Sequence, residues 1–102
     1  MAWLTGYRFS EAFIDLRRND GRADVLAAEL RREIGPEHPL TSRVWTLIAE
    51  AVAQDEVVLA LDGDGVALVH LTWRRATEPA PFPATVIVAS RAEFEALVEN
   101  RY

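Results

Sequence analysis

Residues 57–73 read VVLALDGDGVALVHLTW, and this stretch decides the fold because two apolar runs flank one tight, glycine-containing segment. An Asp-Gly pair between apolar runs is the strongest short-range signal for a β-hairpin. The pattern therefore predicts two antiparallel strands, residues 56–61 and 66–73. The DGDG segment at 62–65 is also similar to the start of a calcium loop, but the twelfth position, which needs a bidentate Glu, holds Trp73. We therefore interpret residues 62–65 as a turn.

The second strand of the hairpin predicts two unlike faces, because alternate residues of a strand point to opposite sides of the sheet. One face would end in His70 and Thr72. The other face would be purely apolar, with Ala67, Val69, Leu71 and Trp73. We expect the apolar face to pack against the helices. His70 and Thr72 would then lie on the opposite, semi-exposed face.

Two helices are predicted before the hairpin. Ser10 suits the N-cap of a short helix over residues 11–18. Asp20 suits the N-cap of a longer helix over residues 22–34, in which apolar residues recur at helical spacing. Glu33 falls on the polar side of this second helix and is expected to face water. A Gly-Pro pair follows at once and ends the helix in the expected order.

Three further segments complete a predicted order of helix, helix, four strands and helix. Residues 41–54 fit both a helical period and a two-residue period, and the Val-Trp-Thr run within them favours a strand. Residues 74–84 carry three prolines at alternate positions, which predicts an extended connector. Residues 85–89, TVIVA, predict a short strand. The capping box at residues 90–93 then predicts a helix that ends near Glu99.

The composition favours one small domain, residues 1–102, that resides in the cytoplasm. The chain has no cysteine, no basic leader followed by an apolar run, and no stretch of about 18 apolar residues that would span a membrane. Two histidines without cysteine argue against a zinc site, and we expect no metal and no other cofactor. The net charge of −5 disfavours nucleic-acid binding and allows a basic partner protein.

The candidate binding residues lie together at the end of the hairpin and just beyond it. They are His70, Thr72, Trp73, Arg74 and Arg75. Arginine stacks on aromatic rings, so an indole beside two guanidinium groups suits an anion or a peptide. In a competing structural interpretation, the tryptophan closes the edge of the core and the arginines pair with surface acids. His70 is also a candidate general base, for which Asp55 or Glu56 would provide the orienting carboxylate.

Several motifs resemble those of a group of small bacterial proteins with no established activity. They are His38-Pro39-Leu40, residues 55–59 (DEVVL), residues 69–73 (VHLTW) and residues 81–85 (PFPAT). This chain departs from the pattern in having Glu56 and Phe82 where the group has Asp and Trp. The resemblance covers about residues 22–98, and it implies a helix, a three-stranded meander, a proline-rich crossover and a final helix. It implies no catalytic residue.

Together these patterns predict an α+β fold of two layers, an antiparallel meander of three to four strands with the helices packed on one face. For function, we expect a small non-catalytic protein that binds or regulates another protein through the candidate residues, or that forms a homodimer. One alternative is a small hydrolase-like enzyme that uses His70, although no catalytic motif supports it. A further alternative is an immunity-type inhibitor of a basic toxin, which would suit the acidic charge.

Overall fold

The computed structural model describes residues 3–63, 65–74, 76–79 and 82–101, apart from the side chain of Val52. Within these residues the chain forms five strands, two α-helices and one short 3-10 turn. In chain order they are β1 (Ile14–Asp15), α1 (Asp20–Glu33), β2 (Trp45–Ala51), the 3-10 turn (Val52–Gln54), β3 (Glu56–Leu61), β4 (Val66–His70), β5 (Thr85–Val88) and α2 (Arg91–Arg101). The candidate residue Arg75 lies outside the described residues.

The strands form one sheet in the order β1-β2-β3-β4-β5, and every neighbouring pair is antiparallel. This confirms the predicted α+β class and the predicted antiparallel meander. The hairpin turn is also present, because the Leu61 N–H donates to the Gly65 carbonyl at 2.9 Å and Gly63 has φ +80°. Glycine adopts that left-handed conformation without steric cost. The second strand of the hairpin, β4, ends at His70 and not at Trp73.

The described sheet has five strands, whereas three to four were predicted. The additional strand is β1. The helix predicted over residues 11–18 is wrong. Instead, β1 pairs with β2, and the Leu16 N–H donates to the Ile48 carbonyl at 2.8 Å. The N–H and C=O groups along the outer side of β2 need hydrogen-bond partners. An extended chain at residues 14–16 supplies them and a helix would not, so pairing with β2 overrides the local helix signal.

Residues 41–54 contain a strand, as the Val-Trp-Thr run predicted, and that strand is β2. Its pairing with β3 shifts by one residue between Leu47 and Ala49, which marks a β-bulge. The bulge puts Ile48 and Ala49 in the same apolar cluster, while Leu47 belongs to the cluster on the other face. β2 therefore contributes apolar side chains to both faces of the sheet.

Both faces of the central strands are apolar, and in the described structure a different helix packs on each. Leu26 and Leu30 of α1 join Leu59 in a cluster on one face. Phe94 of α2 joins Val58 in a cluster on the other, together with aromatic residues from the start of the chain. This arrangement differs from the predicted one, in which the helices shared one face. The reason is that β3 is buried along its whole length, and a strand apolar on both sides requires a cover on both sides.

Each of the two helices begins after a side chain that accepts one N–H of its first turn. Asn19 caps α1, with its Oδ1 accepting the Arg22 N–H at 3.2 Å, so the predicted cap Asp20 is wrong by one residue. Ser90 caps α2 as predicted, and its Oγ accepts the Glu93 N–H at 3.2 Å. The Ser90 hydroxyl also lies 3.3 Å from the Glu93 carboxylate. The Ser90 half of the predicted capping box is therefore formed, and the Glu93 carboxylate contacts the Ser90 hydroxyl.

Candidate functional site

After β4 the chain leaves the sheet and makes a turn at residues 72–74, here called the Trp73 turn. Both oxygens of the Glu33 carboxylate hold this turn. Oε1 accepts the Thr72 N–H at 2.9 Å, and Oε2 accepts the Trp73 N–H at 3.0 Å. The last residue of α1 therefore determines the backbone conformation just beyond the end of β4.

Glu33 is fully buried, at 0% exposure, so the prediction that it faces water is wrong. The segment that follows the Trp73 turn covers it, and the Glu78 N–H donates to the Glu33 carbonyl at 2.9 Å. Burial raises the pKa of the Glu33 carboxyl, and its hydrogen bond with the Glu29 carboxyl raises this pKa further. The N–H bonds of Thr72 and Trp73 act in the opposite direction, because they favour the ionised form.

A second buried carboxylate, that of Glu78, also contacts the Trp73 turn. The Thr72 hydroxyl donates to Glu78 Oε2 at 3.0 Å, and Arg74 Nη1 lies 3.7 Å from Glu78 Oε1. The Arg74 N–H lies 3.4 Å from Thr72 Oγ1. Thr72 consequently connects the turn to the interior, with both its hydroxyl and its N–H engaged by carboxylates.

Trp73 and Arg74 are the exposed members of the turn. Trp73 keeps 39% of its surface in water, and the Arg74 side chain keeps 75%. Trp73 has φ +59°, in the left-handed region that residues other than glycine rarely adopt. An exposed indole is therefore presented on a backbone whose unfavourable conformation is held by a buried carboxylate.

His70 lies elsewhere, at the end of β4 on the face that α2 covers. It shares that face with Leu68, which packs in the cluster beneath α2. Its side chain is 52% exposed, and its Nδ1 lies 3.9 Å from Oε2 of Glu56, the residue opposite it on β3. Glu56 is buried and is also bonded to Arg101 at the end of α2. With residues 53–55, these three side chains line a cleft of about 420 Å³, here called the His70 cleft.

The predicted site residues therefore fall into two groups. Thr72 and Trp73 are held by Glu33 of α1, whereas His70 stands beside Arg101 of α2. The two helices cover opposite faces of the sheet, so the structure does not bring all the candidate residues into one site. Because β4 ends at His70, the strand alternation that grouped it with Thr72 does not extend that far.

His38, which belongs to the His38-Pro39-Leu40 motif, is a buried histidine. The Leu40 N–H donates to Nδ1 at 3.1 Å, which assigns the ring proton to Nε2. Nε2 then donates to the Pro83 carbonyl at 2.9 Å and lies 3.2 Å from the Thr85 hydroxyl. The turn at His38 is thereby tied to the segment that enters β5, which is a structural role.

Glu33, Glu78 and Arg101 are the site residues that sequence reasoning missed. One signal existed for Glu33, because Glu29 and Glu33 lie four residues apart on one side of α1. Like charges at that spacing destabilise a solvated helix, so such a pair indicates a specific environment. Arg101 gave no comparable signal, since its partner Glu56 lies 45 positions away. Glu78 lies four residues after Arg74, but the burial of its carboxylate depends on the fold and not on that spacing.

No family model, curated protein or solved structure matches this chain. The resemblance to the bacterial group rests on the motifs quoted above. Within the described ranges, no three side chains of His, Cys, Asp or Glu are grouped to hold a metal ion. The helices described here are too short or too polar to cross a membrane. What this protein does is therefore inferred from the geometry of the Trp73 turn and of the His70 cleft.

Proposed function

We propose that this protein is a non-catalytic binding module that presents the Trp73 turn to a partner protein. The observation that supports the proposal is an exposed Trp73 at φ +59°, held through two N–H groups by the buried Glu33 carboxylate. A left-handed conformation costs a residue other than glycine about 1–3 kcal/mol. Such costs are concentrated at functional positions, where the surrounding structure imposes the conformation. Tryptophan and arginine are also enriched among residues that dominate binding energy.

The chemistry of the turn suits a partner that offers an apolar pocket beside a carboxylate. The indole of Trp73 would fill the pocket, and the guanidinium of Arg74 would pair with the carboxylate. Arg74 forms an ion pair with Glu78 at 3.7 Å, but 75% of its side chain is in water, so its guanidinium can also reach a partner. Arg75 follows in the sequence and adds a second positive charge.

The alternative of an immunity-type inhibitor has less support. It depends on an acidic surface, and two of the five acids in residues 41–72 are buried. Glu50 is bonded to Arg22, and Glu56 is bonded to Arg101. A basic toxin would therefore meet a smaller negative surface than the net charge of −5 suggests.

Site-directed photo-crosslinking in the native host tests the proposed binding. A photoreactive phenylalanine replaces Trp73 in one variant and Val44 in the control, because Val44 is 74% exposed and lies outside the turn. We expect a discrete protein adduct from position 73, none from position 44, and loss of the adduct when Arg74→Glu is added.

The adduct partner is then purified and its affinity is measured directly. Trp73→Ala should weaken binding at least tenfold, whereas Val44→Ala should leave it unchanged. The proposal fails if position 73 yields no adduct, if both positions yield the same adduct, or if Trp73→Ala binds as tightly as wild type.

A second candidate function is hydrolase-like catalysis at His70, which the nearby Glu56 carboxylate favours. The imidazole would accept a proton from water as a general base, and the carboxylate would stabilise the resulting imidazolium. The distance of 3.9 Å exceeds a hydrogen bond, so the two side chains would have to approach each other when a substrate binds.

Hydrolysis of nitrophenyl esters and phosphates by wild type and His70→Gln tests this candidate. A rate reduced about 100-fold in the folded variant supports it, and equal rates exclude it.

A further inference from the structure

β5 forms one edge of the sheet, and its own sequence, TVIV, carries no charge or proline that would block pairing with another strand. In the part of the chain that the structure describes, no strand lies beyond it. Val86 and Ile87 keep 39% and 41% of their surface in water, on opposite faces of the strand. Natural edges are usually blocked by charges, prolines, bulges or a very short strand.

The opposite edge of the described sheet shows such protection. β1 has only two residues, and the Asp15 carboxylate on it is bonded to Arg17. Around β5 the neutral stretch is longer, because residues 82–90 read FPATVIVAS and include no charged side chain. In the described part of this chain, which has a net charge of −5, the β5 edge therefore has a sequence that offers no charge to repel a second copy.

The hydrogen-bonding pattern determines which backbone groups of β5 face outward. The His70 N–H donates to the Ala84 carbonyl at 2.9 Å, so Ala84 directs its carbonyl towards β4. This direction alternates along an antiparallel strand, and Val86 therefore also faces β4. The backbone groups of Thr85 and Ile87 point away from the sheet.

We propose that two copies of this chain dimerise by pairing their β5 strands antiparallel, about a two-fold axis near Val86 and Ile87. Two identical edges are complementary in this arrangement, because each supplies the N–H and C=O groups that the other requires. The Val86 side chains would meet on the face covered by α2, since Val86 lies opposite Leu68. In this register each Ile87 lies opposite Thr85 of the second copy, on the face covered by α1, since Ile87 lies opposite Ala67 within one copy.

The expected dimer is weak, because a strand of four residues offers a small interface. Stable specific interfaces bury about 800 Å² on each partner, more than one short strand edge supplies. The dimer should consequently dissociate on dilution. The inference does not rest on the proposed function, because the β5 edge and the Trp73 turn are different parts of the chain.

Sedimentation equilibrium of the purified protein, from about 5 µM to about 500 µM, tests the proposal. Wild type should change from monomer to dimer across this range. Ile87→Lys places two positive charges near the two-fold axis and should raise the dissociation constant at least tenfold. Val25→Lys is the matched control, because Val25 is an exposed valine on α1, and this variant should dimerise like wild type.

Amide hydrogen exchange on wild type gives a second measurement that does not depend on the folding of a variant. The amides of Thr85 and Ile87 should exchange more slowly at high protein concentration, while those of β1 should not change. A wild-type protein that is monomeric throughout, or an Ile87→Lys variant that dimerises as tightly as wild type, would overturn the inference.

Trp73→Ala separates this proposal from the proposed partner binding. We expect the variant to dimerise normally while it loses the partner protein. If Trp73→Ala abolishes dimerisation, self-association uses the Trp73 turn and the β5 inference is wrong.

Discussion

Trp73 and Glu33 are the two residues on which the candidate binding turn depends. Trp73 supplies the exposed surface, and the Glu33 carboxylate accepts the N–H groups that fix its backbone. A tryptophan at positive φ is unfavourable without such support, and a buried carboxylate is costly without hydrogen-bond donors. The hydrogen bonds between them therefore offset part of the backbone strain at Trp73 and part of the cost of burying the Glu33 carboxylate. The two residues are forty positions apart in the sequence.

The left-handed backbone at residue 73 predicts an unusual order of stability for two variants. We expect Trp73→Gly to be more stable than Trp73→Ala by about 1 kcal/mol, because only glycine adopts φ +59° without strain. Urea unfolding of both variants measures the difference. At Val44, which is outside the left-handed region, glycine should instead be less stable than alanine. The same order at both positions would contradict the inferred strain.

The raised pKa of Glu33 predicts how stability depends on pH. Because the folded state favours the neutral carboxyl, this group contributes most below its ordinary pKa of 4.5. That contribution is lost as the pH rises through the raised folded pKa, since the buried group must then ionise. The free energy of unfolding of wild type, relative to that of Glu33→Gln, should therefore decrease as the pH rises above 4.5.

Chemical unfolding at a series of pH values measures this difference. Glu37→Gln is the control, because Glu37 is an exposed glutamate close to the end of α1. It should keep the wild-type pH dependence. An unchanged difference between wild type and Glu33→Gln across the pH range would show that Glu33 does not carry the effect.

The secondary-structure elements differ in how much of their stability comes from their own residues. α2 begins at a side chain that accepts the Glu93 N–H, and one buried aromatic residue, Phe94, attaches it to the sheet. β1 consists of two residues and depends on its pairing with β2. α2 could therefore be located from its own sequence, whereas β1 could not.

The cap of α2 predicts a measurable loss when its hydroxyl is removed. Ser90→Ala should lower the free energy of unfolding by about 1 kcal/mol, because the Glu93 N–H loses its acceptor. Ser42→Ala removes a similar hydroxyl from an exposed position outside the helices, and should change stability by less than about 0.5 kcal/mol. Thermal unfolding followed by circular dichroism measures both. Equal effects in the two variants would argue against the cap.

At the scale of the whole molecule, the sheet is an inner layer with apolar clusters on both faces. One cluster includes residues of α1, and the other includes Phe94 of α2 with the aromatic residues near the start of the chain. The sheet is consequently exposed at its edges more than at its faces. β1 and β5 are the edge strands of the described sheet, and β5 is the longer of the two and the one whose sequence carries no charge.

The two-sided core predicts that neighbouring residues of β3 are both sensitive to truncation. Leu59→Ala should cost about 2–5 kcal/mol on the α1 side, and Val58→Ala about 2 kcal/mol on the α2 side. Val44→Ala should have little effect, because Val44 is exposed. Urea unfolding with comparable m-values tests all three. A negligible loss for Val58→Ala would indicate that the α2 face is not a packed core.

The candidate site could be predicted from the sequence only in part, as the positions of Trp73, Glu33 and His70 show. The expectation that Trp73 packs against the helices with Leu71 is wrong, because β4 ends at His70 and the alternation of the strand does not reach residue 73. Glu33 was assigned to water because helical periodicity describes a helix alone and not the chain that later covers it. The separation of His70 from Thr72 depended on where β4 ends, because alternation along a longer strand had placed both on one face.

The amino-acid sequence by itself determined the features that arise within a few residues. These are the hairpin at residues 62–65, the capping box at Ser90, the end of α1 before Gly35 and the antiparallel order of the strands. Turn chemistry, capping and alternation act locally, so they can be recognised without the rest of the chain.

Only the tertiary structure decided that residues 14–15 form a strand, that the helices cover opposite faces, and that Glu33 holds Trp73. Each of these depends on contacts between residues that are distant in the sequence. In such cases burial and the need to pair backbone groups outweigh local propensity, which differs between states by about 1 kcal/mol per residue or less.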